Sequence, residues 1–222
     1  MLVLGLDTST PTVSVALVDD DKLLGRQDQP ANNAHGEVLA ALIDAVFRAT
    51  STAPADLAAV AVGLGPGPFT GLRVGIVTAA ALGDALDVPV FGDCSLDVLG
   101  PEGKLSGRPF AAVTDARRRQ VYWALYDDGG SRVEGPDIAP AAEVAEHLRG
   151  RVRAVVGPGA TQYAEAFVDF DVAAPQWPDA GRLAMSAARR HRSGAAPDAL
   201  TPMYLRRPDA REPGAPKRVT PA

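Results

Sequence analysis

The sequence offers few residues for metal or redox chemistry. Its 222 residues include three histidines, His35, His147 and His191, and one cysteine, Cys94. A single cysteine excludes an internal disulfide and is typical of a reducing compartment. No histidine has a second histidine three or four positions away, so the spacing predicts no zinc or iron site. Cys94 has no adjacent base and is expected to be a small buried side chain.

Basic residues do not exceed acidic ones, and long apolar runs are missing. The chain has 22 Lys and Arg against 27 Asp and Glu, a net charge of -5 and a pI near 5.2. We therefore expect any nucleic acid that the protein serves to be held by another molecule. The arginine clusters at 117–119, 149–153 and 189–192 lack interleaved aromatic residues and are typical of solvent-exposed charge. The N-terminal apolar run is interrupted by Asp7 and is too short to span a bilayer, so we expect a cytoplasmic protein.

The apolar residues that are present recur with regular periods. They make up 46% of the chain, and their spacing over residues 1–100 predicts strands and helices in the order β-β-β-α-β-α-β. The same order is expected again within 101–205, with Asp7 and Asp115 at corresponding turns. We therefore predict two lobes of duplicated origin that face each other across a cleft. The last segment of the second lobe is expected to pack back on a lobe, and residues 206–222 are expected to be a disordered tail.

A glycine-proline loop from Gly63 to Gly75 closes one predicted strand and opens the second helix. Thr70 is expected to cap that helix. Arg73 stands in the first turn, where the helix dipole disfavours a cation, so we predict a carboxylate or carbonyl partner for it. Small residues recur every four positions and form one row, at Gly71, Gly75, Ala79 and Gly83. Such a row predicts a close contact, made either with a helix of another subunit or with the protein's own sheet.

The first helix carries a second, apolar stripe. Together the two stripes are expected to form half of a four-helix bundle with a partner. The residues predicted at this partner interface are His35, Leu39, Leu42, Ile43, Val46, Phe47, Thr70, Gly71, Arg73, Val74, Gly75, Thr78, Ala79 and Leu82.

Two predicted hairpin turns are candidates for phosphate chemistry. Asp7, Thr8 and Ser9 have the hydroxyl and carboxylate groups that hold a phosphate and orient a hydrated magnesium ion. The corresponding turn at Asp115 continues with arginines and has no glycine to wrap a phosphate, so the pair is interpreted as a degenerate remnant. A third loop, 157–159, fits either an approach to adenosine or an ordinary strand-to-helix turn.

These motifs together resemble the bacterial TsaB (YeaZ) family. The resemblance covers the Asp7 turn, the His35 helix, the Gly65–Gly75 loop and the segments 115–118 and 202–206, and it departs at Pro68, where the family usually carries serine. It implies the actin-like ATPase fold, in which two ribonuclease H-like lobes arise by duplication and each has the order β-β-β-α-β-α.

The resemblance also implies a function. TsaB proteins are non-catalytic scaffold subunits that pair with TsaD, the enzyme that threonylcarbamoylates the adenosine beside the tRNA anticodon. TsaE joins the pair, a homodimer forms through the same face when the subunit is alone, and tRNA is reached only through the complex. No cofactor, metal or membrane is implied. The alternatives are an ATP-dependent small-molecule kinase or ATPase that uses Asp7 and Asp115, and a peptidase, which would need a bound metal.

Overall fold

The fold was derived from a computed structural model that describes residues 1–31, 34–100, 107–173 and 177–206. Within these residues the chain forms two five-stranded mixed sheets with helices packed on them. The prediction of an α/β protein with two lobes is therefore confirmed. The predicted tail lies, from residue 207 onward, outside the described residues.

The first sheet has the strand order β3-β2-β1-β4-β5. Its strands β1 to β3 are antiparallel, whereas β4 runs parallel to β1 and to β5. Parallel neighbours need a crossover, which the two helices of this lobe supply. The elements are β1 (Leu2–Asp7), β2 (Thr12–Asp19), β3 (Lys22–Pro30), α1 (His35–Thr50), β4 (Leu57–Gly63), α2 (Phe69–Leu86) and β5 (Val90–Asp93).

The second sheet repeats this order as β8-β7-β6-β9-β10. Its elements are β6 (Phe110–Asp115), β7 (Gln120–Tyr126), β8 (Arg132–Pro140), α3 (Ala141–Leu148), β9 (Ala154–Val156), α4 (Pro158–Gln162) and β10 (Asp171–Ala173). The sequence did not predict β10, and it predicted a longer helix, 160–167, in place of α4. After α4 the chain continues in turns, which bury Phe167 in the apolar cluster of the second lobe. Residues 163–167 are therefore not helical.

Both faces of the first sheet are covered. On one face α1 and α2 bury an apolar cluster that includes Leu6, Val15 and Leu72. On the other face lies α5 (Ala180–Arg192), whose Leu183 and neighbouring alanines pack against the sheet. The sequence placed this helix within the second lobe, 101–205, but its contacts are with the strands of the first.

A C-terminal strap, residues 198–206, runs over both lobes. The carboxylate of Asp198 accepts a hydrogen bond from the Gly92 N–H at 3.0 Å. The Met203 N–H donates to the Leu64 carbonyl at 2.8 Å. Leu205 packs against the apolar cluster that joins the lobes. The strap therefore fixes the glycine-proline loop from one side.

Candidate functional site

Asp7 is sealed inside the first lobe. Its side chain has no solvent exposure, and one carboxylate oxygen accepts hydrogen bonds from the Ser9 N–H at 2.8 Å and the Ser9 hydroxyl at 2.7 Å. The other oxygen accepts from the Ser95 hydroxyl at 2.6 Å, and that hydroxyl in turn accepts from the Gly65 N–H at 3.1 Å. Burial raises the pKa of the Asp7 carboxyl above its usual range. One oxygen therefore closes the turn on Ser9, the other ties the turn through Ser95 to the glycine-proline loop, and both are occupied by protein donors.

The Thr8 side chain forms hydrogen bonds with the backbone of α2. Its hydroxyl donates to the Gly71 carbonyl at 2.8 Å and accepts from the Gly75 N–H at 3.1 Å. An α-helix normally pairs these two backbone groups with each other. A methyl group at Gly75 would lie 2.4 Å from the Thr8 hydroxyl oxygen, and one at Gly71 would lie 2.6 Å from the Thr8 carbonyl oxygen. The row of small residues therefore packs against the chain's own β1–β2 turn. Of the two contacts that the sequence left open, it is the one within the protein and not the one with a helix of another subunit.

Many residues predicted at the partner interface lie beneath the helices instead. The buried ones are Leu39, Leu42, Val46, Phe47, Gly71, Gly75 and Ala79. The exposed or half-buried ones are His35, Ile43, Thr70, Arg73, Val74, Thr78 and Leu82. The apolar stripe of α1 faces inward because the first sheet itself is apolar on that side. A partner can therefore dock only on the opposite, outward side of these helices.

That outward side is unusually apolar on α2. We call the exposed residues of both helices the outer face: Gly36, Glu37, Ala40, Ala41, Asp44, Arg48, Ala49, Thr70, Arg73, Val77, Ala80, Ala81, Asp84 and Ala85. Val77 is 65% exposed. Among the described residues, α2 is the one helix long and apolar enough to cross a membrane by length and composition, a test that a core helix of a soluble protein also passes. Only 33% of it is buried, so much of its apolar surface lies outside.

The beginning of α2 departs from the sequence prediction in two ways. The N-cap residue is Pro68, without a side-chain hydrogen bond, and Thr70 lies exposed inside the first turn, so the predicted Thr70 cap is wrong. Arg73 donates from Nε to the Tyr204 hydroxyl at 2.8 Å. Within the described residues this side-chain partner is therefore a hydroxyl group of the strap and not the predicted carboxylate or carbonyl, and no sequence pattern indicated that Tyr204 would reach Arg73.

The two predicted phosphate turns do not meet in one site. Asp115 lines a cavity of about 740 Å³ between the lobes, and its carboxylate accepts from the Arg117 N–H at 2.8 Å and the Tyr163 hydroxyl at 2.7 Å. His35 lines the same cavity and lies 3.2 Å from the Thr10 carbonyl through Nε2. Asp7 is not part of its lining. The cleft therefore holds one of the two carboxylates that phosphate chemistry of the actin type needs.

The remaining candidates have structural explanations. A methyl group at Gly157 would lie 2.4 Å from the Val113 carbonyl, so the loop 157–159 is packed on β6 as a strand-to-helix turn. The described residues contain no group of three or more His, Cys, Asp or Glu side chains placed to hold a metal ion. Burial raises the pKa of the Cys94 thiol to about 12. His147 contacts Glu134 at 2.7 Å, whereas His191 lies against the Phe91 ring. The two histidines therefore have different neighbours and do not share a site.

Known proteins resemble this chain over most of its length. The family model of TsaD, tRNA N6-adenosine threonylcarbamoyltransferase, matches residues 28–176. An uncharacterized protein of Mycobacterium tuberculosis is 45% identical over 216 residues, which cover 94% of this chain and 93% of that protein. The tRNA threonylcarbamoyladenosine biosynthesis protein TsaB of Escherichia coli is 27% identical over 184 residues, 82% of this chain and 76% of that protein.

Solved structures agree with this relation. YeaZ from Pseudomonas aeruginosa is 26% identical, has a TM-score of 0.69 and covers 92% of this chain and 99% of its own. The activator of 2-hydroxyisocaproyl-CoA dehydratase from Clostridium difficile, solved with ADPNP, is 10% identical with a TM-score of 0.52, covers 90% of this chain and 100% of its own, and shows the fold alone. The predicted actin-like fold is confirmed. Because the family model spans most of both lobes and relatives that have a functional name are TsaB proteins, this chain belongs to the TsaD-like family and, within it, to the TsaB (YeaZ) proteins.

Proposed function

We propose that this protein is a non-catalytic subunit in the biosynthesis of threonylcarbamoyladenosine in tRNA, and that it pairs with TsaD through the outer face. The named relatives are biosynthesis proteins of this modification, which supports the pathway. The net charge of -5 supports contact with tRNA only through the complex. TsaE as a further partner, a homodimer when the subunit is alone, and a cytoplasmic location belong to the same proposal.

The exposed apolar surface of α2 is the observation that carries the pairing. Val77, Ala80 and Ala81 face outward without a cover from the described chain. Small exposed residues let a second helix approach closely, and packing against another helix pair would bury this surface in a four-helix arrangement. The family model that matches the chain describes TsaD itself, so a partner of this family would have a related lobe to present. A standard interface of roughly 1,600 Å² in total would hold such a pair.

The use of the Asp7 turn supports a non-catalytic role. The polar side-chain groups of Asp7, Thr8 and Ser9 form hydrogen bonds with Ser95, with the backbone of α2 and with each other. A phosphate-binding turn needs these groups free for the ligand. The chain has therefore converted this turn into a structural tie that holds α2 on the sheet.

An ATP-dependent kinase or ATPase is the second candidate, and the cavity between the lobes is the feature that favours it. The likeness to an ADPNP-bound protein supports only the fold. Calorimetric titration of the isolated protein with ATP and magnesium separates the candidates. Tight binding with turnover by this chain alone would favour the kinase, whereas the scaffold is expected to show neither.

Val77→Asp tests the pairing. The substitution replaces an apolar contact at the centre of the proposed interface with a carboxylate that pairing would have to desolvate, and desolvation of a charge is costly even with Arg73 four residues away. We expect the affinity for TsaD of the same genome to fall by about a hundredfold, and tRNA modification by the reconstituted proteins to fall with it. The monomer should stay folded because Val77 is 65% exposed.

Val133→Asp is the matched control. Val133 is 58% exposed but lies on β8 of the second lobe, so the same change there should leave pairing intact. Wild-type affinity of the Val77→Asp protein for TsaD would contradict the proposed interface. Failure of the unmodified protein to bind TsaD would contradict the pairing altogether.

A further inference from the structure

Arg73 is a cation for which the described chain supplies no acid. Most other arginines in the described residues form ion pairs, such as Arg48 with Asp44 and Arg190 with Asp93. Arg73 instead contacts one hydroxyl and two aromatic rings. It is exposed and lies just after the first turn of α2, towards the end of the helix at which the dipole disfavours positive charge. The fold therefore holds this cation on the outer face without neutralising it.

An aromatic clamp fixes the guanidinium group. Its carbon lies 5.9 Å from the centre of the Phe69 ring and 5.6 Å from that of the Tyr204 ring, and the two rings are 4.6 Å apart. The Tyr204 hydroxyl accepts the Nε hydrogen bond at 2.8 Å. Tyr204 is itself held because the strap is anchored next to it, at Met203, on the Leu64 carbonyl. The clamp fixes the orientation of Arg73 before any partner arrives.

The clamp leaves the two Nη nitrogens without a hydrogen bond from the described residues. These nitrogens form the planar fork that binds a carboxylate through two parallel hydrogen bonds. Next to Arg73 the outer face is apolar, at Val74 and Val77. A partner that covers these valines would also remove water from the guanidinium group. A buried cation without an acceptor is costly, so the surface that covers it has to bring an anion.

We propose that Arg73 is the charged anchor of the outer face and that it receives an aspartate or glutamate side chain of the TsaD subunit. This inference rests on the proposed pairing and adds the chemistry that the facing surface must have. Tyr204 is a positioning residue, which acts on the partner through Arg73. The strap thereby contributes to the interface although its residues do not belong to the outer face.

The test is the affinity for TsaD of the same genome, measured by calorimetry with the full chain at low and high salt. Arg73→Gln should weaken binding by about tenfold or more and flatten the salt dependence, because it removes the charge pair. Arg73→Lys keeps the charge but not the fork, so it should retain the salt dependence and still lose affinity. Tyr204→Phe keeps the ring and removes the hydroxyl, and it should weaken binding by about threefold with the salt dependence unchanged.

Arg153→Gln is the control for net charge. Arg153 is 77% exposed and pairs with Asp171 at 2.8 Å in the second lobe, so its loss should change neither affinity nor salt dependence. Melting curves confirm that each variant is folded. If Arg73→Gln binds TsaD as tightly as the unmodified protein with the same salt dependence, the anchor is overturned while the pairing stands. If the unmodified protein does not bind TsaD, both proposals are overturned.

Discussion

The two lobes share one strand order and use corresponding turns in opposite ways. In the first lobe Asp7 is fully buried and ties the turn to Ser95. In the second lobe Asp115 lines the cavity, and its carboxylate accepts hydrogen bonds from the Arg117 N–H and the Tyr163 hydroxyl. The comparison shows that a repeated backbone order does not preserve the environment of a side chain. The environment depends on which segments pack over the turn. In the first lobe these are Ser95 and the glycine-rich helix α2, whereas in the described part of the second lobe Tyr163 contacts the aspartate.

The helices of the two lobes differ as well. The first lobe has helices of 16 and 18 residues, whereas the corresponding helices of the second lobe have 8 and 5. Long helices bury one side on the sheet and still leave a continuous outer side for a partner. The short helices of the second lobe pack on their sheet but are too short to present a continuous outer side. This difference explains why we assign the partner surface to the first lobe.

Gly75→Leu should break the first lobe most severely. A methyl group at this position already lies 2.4 Å from the Thr8 hydroxyl oxygen, and overpacking of a closed site costs about 3 kcal/mol or more for a large side chain. We expect a loss of this size in the free energy of unfolding, measured by chemical denaturation. Gly36→Ala is the control, because nothing lies within 4 Å of the added methyl group in α1, and it should gain up to about 1 kcal/mol. Normal stability of Gly75→Leu would mean that Thr8 does not occupy the small-residue row.

Alanine at the two corresponding aspartates should sharpen the comparison. Asp7→Ala leaves the buried Ser9 and Ser95 groups without their acceptor, so we expect a loss of about 3 kcal/mol in the free energy of unfolding. Asp115→Ala should cost about 1 kcal/mol or less, since water replaces the carboxylate at the cavity rim. Equal losses in the two variants would show that the turns are equivalent after all.

The smallest expected effect is the pH dependence of stability that Asp7 causes. Because burial raises the pKa of this carboxyl in the folded state, the folded protein binds a proton more readily than the unfolded chain. The contribution of Asp7 to stability is therefore smallest above the raised pKa and grows as the pH falls from there towards the unfolded value. Relative to Asp7→Asn, which does not titrate, the unmodified protein should become more stable as the pH falls through the raised pKa towards the usual value of 3.8. A difference that stays constant or changes in the opposite direction, in denaturation series at matched pH, would contradict the burial of an ionisable group at this position.

Much of the fold was predictable because it depends on local periodicity. The alternation of β2 and the short apolar runs of β1 and β4 predicted strands, and the repeat of the order placed Asp7 and Asp115 at corresponding turns. Elements with little periodicity were missed or misplaced. These are the three-residue strand β10 and the end of α4. The packing of α5 on the first sheet was not predicted either, because periodicity indicates a helix but not the sheet that it covers.

The site was less predictable, because the spacing of apolar and small residues predicts which helix face packs closely but not which segment packs against that face. The apolar stripe of α1 and the small residues of α2 predicted close packing, which the structure shows, but the packing is with the chain's own strands and Thr8. Val77 was not among the predicted interface residues. Its signal was present in the sequence, because an apolar residue lies on the side of α2 opposite to the stripe.

The sequence by itself determined the two lobes of matching order and the family, because these depend on order, period and motif. Tertiary structure alone decided that the Asp7 turn is closed, that the apolar stripe of α1 faces inward, and that Tyr204 holds Arg73. Each of these depends on contacts between residues far apart in the chain, as between Arg73 and Tyr204, and no local pattern specifies which distant segment will arrive.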